Sequence, residues 1–482
     1  MSPPGIIAYA GYVPMLRIAR ACIADAMAWA NPSLRQRGVG ERSFCNWDED
    51  SITMAVEAAR SCLAGQDRDD ITGLSLASTT LPFADRDNAV IVAAALGLDE
   101  SVRCSNLTSS QRAATSALGA LAEGMQTGSR QLLTAADRRL AKPASDAEMS
   151  FGHGAACVLL GSDNTVADLV GSETLNRDLV DHYRASGDSF DYGFEQRWVR
   201  DEGYLKLIPK LVAKVLDKTG ISIDEIDHVV FPCSTAVAAK LAATMGISPD
   251  CVSNNLAASC GDTGAAHPLL MLCDVLDRAT PGQTVLLVGF GQGADAFVLR
   301  TTDRVAGNRG ALTASLARRR EEPNYNRFLS LCGLLETDWG HRAEHDKRTA
   351  MPTAYRKRDA LASFTGGKCG ACGAIQFPLT PVCVNPDCRK AHTQQPFSFA
   401  DQPARVKTFT EDWLGFSPSP PSIYGNVAFD GGANILMEFA DTCPGELEVG
   451  MPLSMHFRIK DIDERRHFRR YFWKPAPLRG VT

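Results

Sequence analysis

Two groups of residues have the types and spacing to do chemistry. The first is Cys369, Cys372, Cys383 and Cys388, in the pattern C-x2-C-x10-C-x4-C within GGKCGACGAIQFPLTPVCVNPDC. Two thiolate pairs on Gly-rich knuckles can close a tetrahedral S4 site, for which zinc is the usual occupant. Four thiolates leave no open position for water, so the expected role is a structural Zn2+. The second is NLTSSQRAATSAL, residues 106–118. It reads as a strand end, a polar turn and the start of an Ala-rich helix, the kind of elbow that often presents a nucleophile. At its centre stands Gln111, whose carboxamide cannot attack a carbonyl but can donate and accept hydrogen bonds.

The elbow recurs. NLAASCGDTGAAHPL at 255–269 resembles the first, and FGHGAACVLL at 151–160 resembles FGQGADAFVL at 290–299. Two pairs in the same order indicate two halves of similar layout, each with an elbow, a helix and a Gly-rich hairpin. Halves packed face to face bring both elbows to one centre. GFGQGA nearly spells a dinucleotide fingerprint, but the strand-like DAFVLR follows it, not the helix that would hold a pyrophosphate.

Up to about residue 302, short apolar runs alternate with Ala-rich amphipathic stretches, an α/β pattern. Examples are GIIAYAGYVP (5–14), SITMAVEAARSCLAG (51–65), ITGLSLAST (71–79) and AVIVAAALGL (89–98), with HVVFPCST (228–235) and TVLLVGFGQG (284–293) as buried strands. Residues 303–360 are charged and broken by prolines, and read as a linker with one or two short helices. After Gln376 the pattern is short β (ARVKTFTE, SIYGNVAFDGG, NILMEFAD, LSMHFRIKD), which suggests a small barrel. The expected domains are therefore 1–302, the linker 303–360, a zinc ribbon over 361–395 and a barrel over 396–482.

Composition narrows the function. Of 482 residues, 45% are hydrophobic and 22% charged, with a net charge of −6, which argues against nucleic acid as a partner. The N-terminus lacks the basic and apolar regions of a signal peptide, and no apolar run is long enough to span a membrane. Fifteen cysteines, four of them clustered, suit a reducing cytoplasmic setting better than a disulfide framework.

Together GIIAYAGYVPMLRI, GERSFCNWDEDSITMAVEAA, ADRDNAVIVAAALGL, DEIDHVVFP and ATPGQTVLLVGFGQGADAFVL resemble the 3-hydroxy-3-methylglutaryl-CoA synthase branch of the thiolase superfamily, particularly its archaeal form. Residues from about 325 to 475 resemble the zinc-ribbon plus OB-fold proteins that accompany such enzymes and bind acyl-CoA. The resemblance implies a five-layered αβαβα fold, a homodimer and a thioester substrate. It also implies where catalytic residues should fall, and there this chain departs. Aligning ATSAL places Gln111 at the nucleophilic cysteine, with Ala113 and Ala114 for two glycines. The acidic glutamate falls on Thr79, with Thr80 beside it. The histidine falls on Cys233, or on Pro232 with a one-residue slip. The asparagine of the second elbow falls on Asp262.

Some related loading ketosynthases carry glutamine in place of cysteine and decarboxylate without an acyl-enzyme, but they keep their histidines. Here the candidates for proton transfer are Asp262, whose pKa burial would raise, His267, Cys233 and His153, while Cys233 and Cys260 are the candidate replacement nucleophiles. Arg405, Lys407 and Arg458 are candidate phosphate contacts. Three functions follow: an acyl-CoA C–C bond enzyme without a covalent intermediate, an inactive scaffold paired with an active paralogue, or an acyltransferase with a relocated cysteine.

Overall fold

The computed structural model describes residues 3–193, 195–307 and 311–479. The chain folds into two units. One runs from the N-terminus to Phe328, less two short segments; the other gathers those segments, Asn46–Glu49 and Ile91–Gly97, with Leu329 onward.

The first unit is built on nine hydrogen-bonded strands. In spatial order they are His228–Val230, Thr284–Phe290, Gly293–Thr301, Ala167–Asn176, Gly5–Tyr12, His153–Gly161, Arg130–Arg138, Ile71–Ala77 and Arg103–Leu107. The two halves of this sheet join only where Gly5 and Ile6 face Asp168 and Ala167. The sheet can therefore turn around two central helices, Ala113–Glu123 and His267–Arg278, whose apolar residues share one core cluster with both halves.

Side-chain alternation in the strands fixes the layers. Val285, Leu287, Phe297 and Leu299 enter the central cluster. Their neighbours Leu286, Val288, Ala296 and Val298 enter a second cluster with Leu207, Ile208, Leu211, Val215 and Leu241 of the helices Leu205–Thr219 and Thr235–Met245. Because both faces are covered, these strands read as continuous apolar runs. Helix Ser51–Cys62 packs on the other half-sheet, and starts cleanly because Asp50 accepts from the backbone N–H groups of Ile52 and Thr53. The outer helices, the two half-sheets and the central helix pair thus stack in alternating layers.

Two details depart from the sequence expectation. The second repeat is a tight hairpin, with Gly291 and Gln292 between antiparallel strands. In the first repeat the corresponding strands also pair antiparallel, but the short helix Asp146–Ser150 separates them. The FGHG segment is therefore free to pack elsewhere. It lies on the second elbow, where the Gly152 N–H donates to Asp262 O (2.8 Å) and the Asp262 N–H to Ser150 O (2.8 Å). In addition, residues just after 302 belong to the first unit: Arg320–Glu321 pairs with Leu16–Arg17, and Phe328 meets Phe44 edge-on.

In the second unit, a three-stranded sheet (Ile375–Gln376, Thr365–Cys369, Gln394–Ser398) carries the cysteine knuckles. Five further strands follow in the order Asn434–Glu438, Ser422–Phe429, Ala404–Asp412, Pro452–Asp463, Phe468–Pro477. The Ala440 N–H donates to Pro475 O (2.8 Å), which brings the two ends of this order together. Phe364, Phe399, Phe429, Phe472 and Trp473 form the aromatic core beneath. No helix among the described residues is long and apolar enough to cross a membrane.

The contact between FGHG and the second elbow leaves no room for a side chain. A Cβ at Gly152 would stand 1.9 Å from Cys260 O. Gly152→Ala is therefore expected to destabilise the first unit by about 1–3 kcal/mol, as overpacking commonly does. Chemical denaturation of the purified variant checks this; an unchanged midpoint would contradict the packing described.

Candidate active site

The site starts from two backbone elbows. In the first, Ser109 takes a left-handed conformation (φ +75°), and Gln111 follows just before the helix Ala113–Glu123. That elbow is pinned from below by Asp295, a buried residue of the FGQGADAF repeat. Its carboxylate accepts from Arg112 (3.1 Å), Thr115 (2.8 Å), Ser116 (3.0 Å) and Thr174 (2.7 Å). The second elbow is pinned by Asp137, which accepts from the Ala265 N–H (2.7 Å) and from Ser78, Thr79 and Thr80. Two buried carboxylates, each saturated with donors, thus hold the two elbows in place.

Above them lies a cavity of about 1040 Å3, lined by Gln111, Arg139, His182, Tyr204, Cys233, Asp262 and His267, among others. Seven Arg and Lys side chains line it, against four Asp. Arg37, Arg197, Arg200 and Lys240 are among those cations.

Arg139 is the centre. Its side chain is 4% exposed, and its guanidinium donates to Asp262 (3.0 Å) and Asp191 (2.9 Å) and stacks on the Phe151 ring at 3.5 Å. Asp191 also binds Arg184 (2.7 Å). Gln111 completes the set. With its oxygen toward Arg139 the carboxamide accepts at 3.0 and 2.6 Å from the guanidinium and at 3.1 Å from His182 Nε2. The opposite orientation would put the amide nitrogen against guanidinium donors, so the oxygen faces Arg139. His182 in turn meets Asp181 through Nδ1 (2.8 Å).

The charges shift their neighbours. Burial pushes the Asp262 carboxyl up, but Arg139, His267, the Gly264 N–H and His182 outweigh it and hold it below the usual carboxylate value. The expectation that burial raises this group is therefore reversed by the arginine beside it. Asp262 rests ionised, with two-fifths of its side chain exposed. Burial lowers the His267 pKa, partly offset by Asp262 and a hydrogen bond to the Asn255 backbone. His267 Nδ1 accepts from the Thr263 N–H at 3.3 Å. Burial, with Cys233, Asp181 and Asp262, keeps Tyr204 a neutral hydroxyl. Burial also pushes both thiols up to about 12, Cys233 on the cavity wall and Cys260 beneath it.

The sequence candidates fall in three places. Gln111, Cys233, Asp262 and His267 share the cavity. Thr79 does not line it; its hydroxyl and N–H both bind Asp137. His153 is buried with both ring nitrogens engaged: Nδ1 accepts from the Cys45 N–H (2.9 Å) and Nε2–H donates to Arg139 O (3.0 Å). It is a neutral brace for Arg139, its pKa held well down by burial and by Arg42 and Arg138. Arg458 is buried against Asp441 (2.9 Å) and is not open to a phosphate, whereas Arg405 and Lys407 are exposed. The sequence reading missed Arg139, His182 and Asp191. Their signal was the polar cluster DHYR near 181–184 with Asp191, and the RR pair that ends the Arg130–Arg138 strand, since ligands gather at strand ends in α/β folds.

The four cysteine sulfurs all lie within 4.8 Å of one another, with Cys369–Cys388 at 3.9 Å and Cys372–Cys383 at 3.6 Å. A ZnS4 tetrahedron with bonds of about 2.3 Å spaces its sulfurs about 3.8 Å apart, so the donor set fits that ion. The Thr393 hydroxyl lies 3.1 Å from Cys369 Sγ, where its O–H can donate to the thiolate and hold its direction.

Fold and site together place the chain among the condensing enzymes of the thiolase type. It is similar to solved structures of HMG-CoA synthase complexed with CoA (TM-score 0.61, 18% identity, covering 72% of this chain and 95% of that one) and of 3-oxoacyl-(acyl carrier protein) synthase III from Pseudomonas aeruginosa (TM-score 0.56, 22% identity, 62% and 98%). The family model for the C-terminal part of 3-oxoacyl-[acyl-carrier-protein] synthase III matches residues 216–300. The chain is 30% identical to the hydroxymethylglutaryl-CoA synthase of Archaeoglobus fulgidus over 312 residues, 62% of this chain and 90% of that protein. It is 31% identical to the Aeropyrum pernix enzyme over 319 residues, 63% and 86%. The chain belongs to the hydroxymethylglutaryl-CoA synthase family.

Because thiolates and not thiols are alkylated, a pKa near 12 sets the reactivity of Cys233. Its labelling by iodoacetamide is expected to rise about tenfold per pH unit from 7 to 10 without levelling. Mass spectrometry of labelled peptides checks this; a plateau near pH 9 would show an ordinary thiol.

Proposed function

We propose that this chain is an acyl-CoA C–C bond enzyme of the hydroxymethylglutaryl-CoA synthase type that works without a covalent acyl-enzyme. The observation that carries the reading is Gln111. It stands at the elbow, on the cavity lining, with its oxygen against Arg139 and His182. That leaves the amide N–H2 as a donor for a thioester or enolate oxygen, and preorganised donors of this kind stabilise developing negative charge. Neutral Tyr204 offers a second O–H. The cationic lining suits the phosphates of CoA, the molecule bound in the related synthase structure. Acyl transfer onto Cys233 or Cys260 has less support, because burial keeps both as thiols.

The domain assignment extends this reading. Residues 1–302 form the thiolase-like part, which we infer to be homodimeric; the exposed edge strand Arg103–Leu107 offers a surface for strand pairing. Residues 361–395 are a zinc ribbon with a structural Zn2+. Residues 396–482 are an OB-type barrel that assists acyl-CoA binding; the ring order of its five strands supports this. Fifteen cysteines with no disulfide among them suit a cytoplasmic protein.

One observation favours a second reading. Arg139, Asp191, Asp262 and Gln111 satisfy one another without a ligand, as a retired site would. On that reading the chain is a scaffold for a cysteine-bearing paralogue.

Removing one oxyanion donor typically costs about 10²–10³ in kcat. Gln111→Ala is expected to lower acyl-CoA turnover by that factor while no acyl adduct forms on the wild type. Turnover unchanged in Gln111→Ala sinks the enzymatic reading at this residue; a native complex with a paralogue and no turnover alone establishes the scaffold. For the ribbon, elemental analysis of the purified protein is expected to find about one zinc per chain, lost in Cys383→Ser. Full zinc in that variant would exclude the four-cysteine site.

A further inference from the structure

We propose that the loop 413–416 and the segment 335–348 of the second unit form a docking face for a second copy of this chain. The contact stands apart from the chemistry of the cavity, and it is distinct from any pairing of the edge strand Arg103–Leu107. It starts from large apolar side chains that a pinned backbone holds in solvent.

Trp413 is 65% exposed, Leu414 71% and Trp339 39%. Their exposure is built in. Asp412 Oδ1 accepts from the N–H groups of Leu414 (2.8 Å) and Gly415 (2.9 Å), which folds the chain into a tight turn that carries Trp413 and Leu414. Arg342 donates to Leu414 O and ties this turn to a segment 72 residues away in sequence. Trp339 meets Phe416 edge-on at 5.7 Å, and Lys347 lies over the same ring at 5.4 Å. One patch therefore gathers two tryptophans, Phe416 and Leu414. Exposed apolar groups clustered in this way mark interaction sites, and Trp is enriched at the energetic centre of protein–protein interfaces.

The charges beside the patch select its occupant. Residues 336–348 carry four acids, Glu336, Asp338, Glu344 and Asp346. They also carry three bases, Arg342, Lys347 and Arg348. Among the described residues none of these seven is drawn into an ion pair, and all but the half-buried Lys347 are exposed. A surface of one sign, such as an anionic bilayer, would match the bases and repel the acids. A second copy matches both. The acids lie toward the start of the segment and the bases toward its end. Two copies running antiparallel across a two-fold axis thus set the acids of each against the bases of the other. The loop adds a second self-complementary feature. After Phe416 come Ser417, Pro418, Ser419 and Pro420, each a proline or the residue before one, and so held extended. Extended proline-bearing runs dock on aromatic side chains, so each copy offers both halves of that contact.

The test uses the full-length protein with a benzophenone amino acid in place of Leu414, in a mixture of isotopically light and heavy chains. Photolysis is expected to give light–heavy crosslinked peptides that join position 414 to residues 335–348 or 412–421 of the other copy. Trp413→Ser is expected to cut that yield at least about tenfold at subsaturating protein, because loss of a hot-spot side chain commonly weakens association by more than that. Two charge-reversed proteins then decide the occupant. Lys347→Glu with Arg348→Glu leaves the segment almost wholly acidic; Glu336→Lys with Glu344→Lys leaves it mainly basic. Each alone is expected to lose the light–heavy crosslink. Mixed, they are expected to regain it, which also shows that both are folded. Crosslinks confined to single chains overturn the inference, as do light–heavy crosslinks that land on other surfaces. Either charge-reversed protein crosslinking alone like the wild type, or a mixture no better than its components, overturns it too. Binding of the wild type to phosphatidylserine vesicles that Trp413→Ser abolishes would assign the patch to a membrane and overturn it as well.

Discussion

A guanidinium buried beside a cavity must be paired, because desolvating an unpaired charge costs several kcal/mol. Arg139 meets that requirement with Asp191, Asp262 and the oxygen of Gln111, while Phe151 covers its face. The rest of the site follows. Arg139 decides which way the carboxamide points, keeps Asp262 ionised against its burial, and links the two elbows through their side chains. Its own backbone is held by His153, whose neutral ring bridges Arg139 O and the Cys45 N–H. A histidine that looked like a candidate base in the sequence is thus a strut for the cation that organises the site.

The duplication supplies the frame for this pairing. Each half contributes an elbow, and each elbow is anchored by a buried aspartate that accepts four or more hydrogen bonds: Asp295 under Gln111 and Asp137 under Gly264–Ala265. The anchors cross over. Asp295 lies in the second half and holds the first elbow; Asp137 lies in the first half and holds the second. Neither elbow can be set without the opposite half, which ties the geometry of the site to the docking of the two repeats around their central helices.

Most of the frame was legible in the sequence. The repeats, the elbow at Gln111 and the strands at 5–12, 71–77 and 284–290 follow from apolar runs buried on both faces. The four cysteines announce themselves by spacing. The centre of the site was not legible, for a physical reason. Arg139, His182 and Asp191 come from a strand end and a short hairpin, with no periodicity to mark them, and Arg139 finds its carboxylate partners 52 and 123 residues away in sequence. The direction of the Asp262 shift was invisible for the same reason. Burial can be guessed from an elbow's position, but the arginine that reverses its effect cannot. Thr79 was placed by alignment of a strand end, and its partner Asp137 was not part of that pattern.

A glutamine at the elbow is coherent with this electrostatics. A nucleophilic thiol needs its thiolate stabilised, and a cation as close as Arg139 is to residue 111 would do that well. A carboxamide oxygen satisfies the guanidinium without carrying charge, so the positive potential of Arg139 is not cancelled by residue 111. The two thiols that remain nearby are kept neutral by burial. The site therefore presents donors and a cation, and no resident nucleophile, to whatever enters the cavity. Transition-state charge on the ligand is the one large electrostatic demand such an arrangement is left to answer.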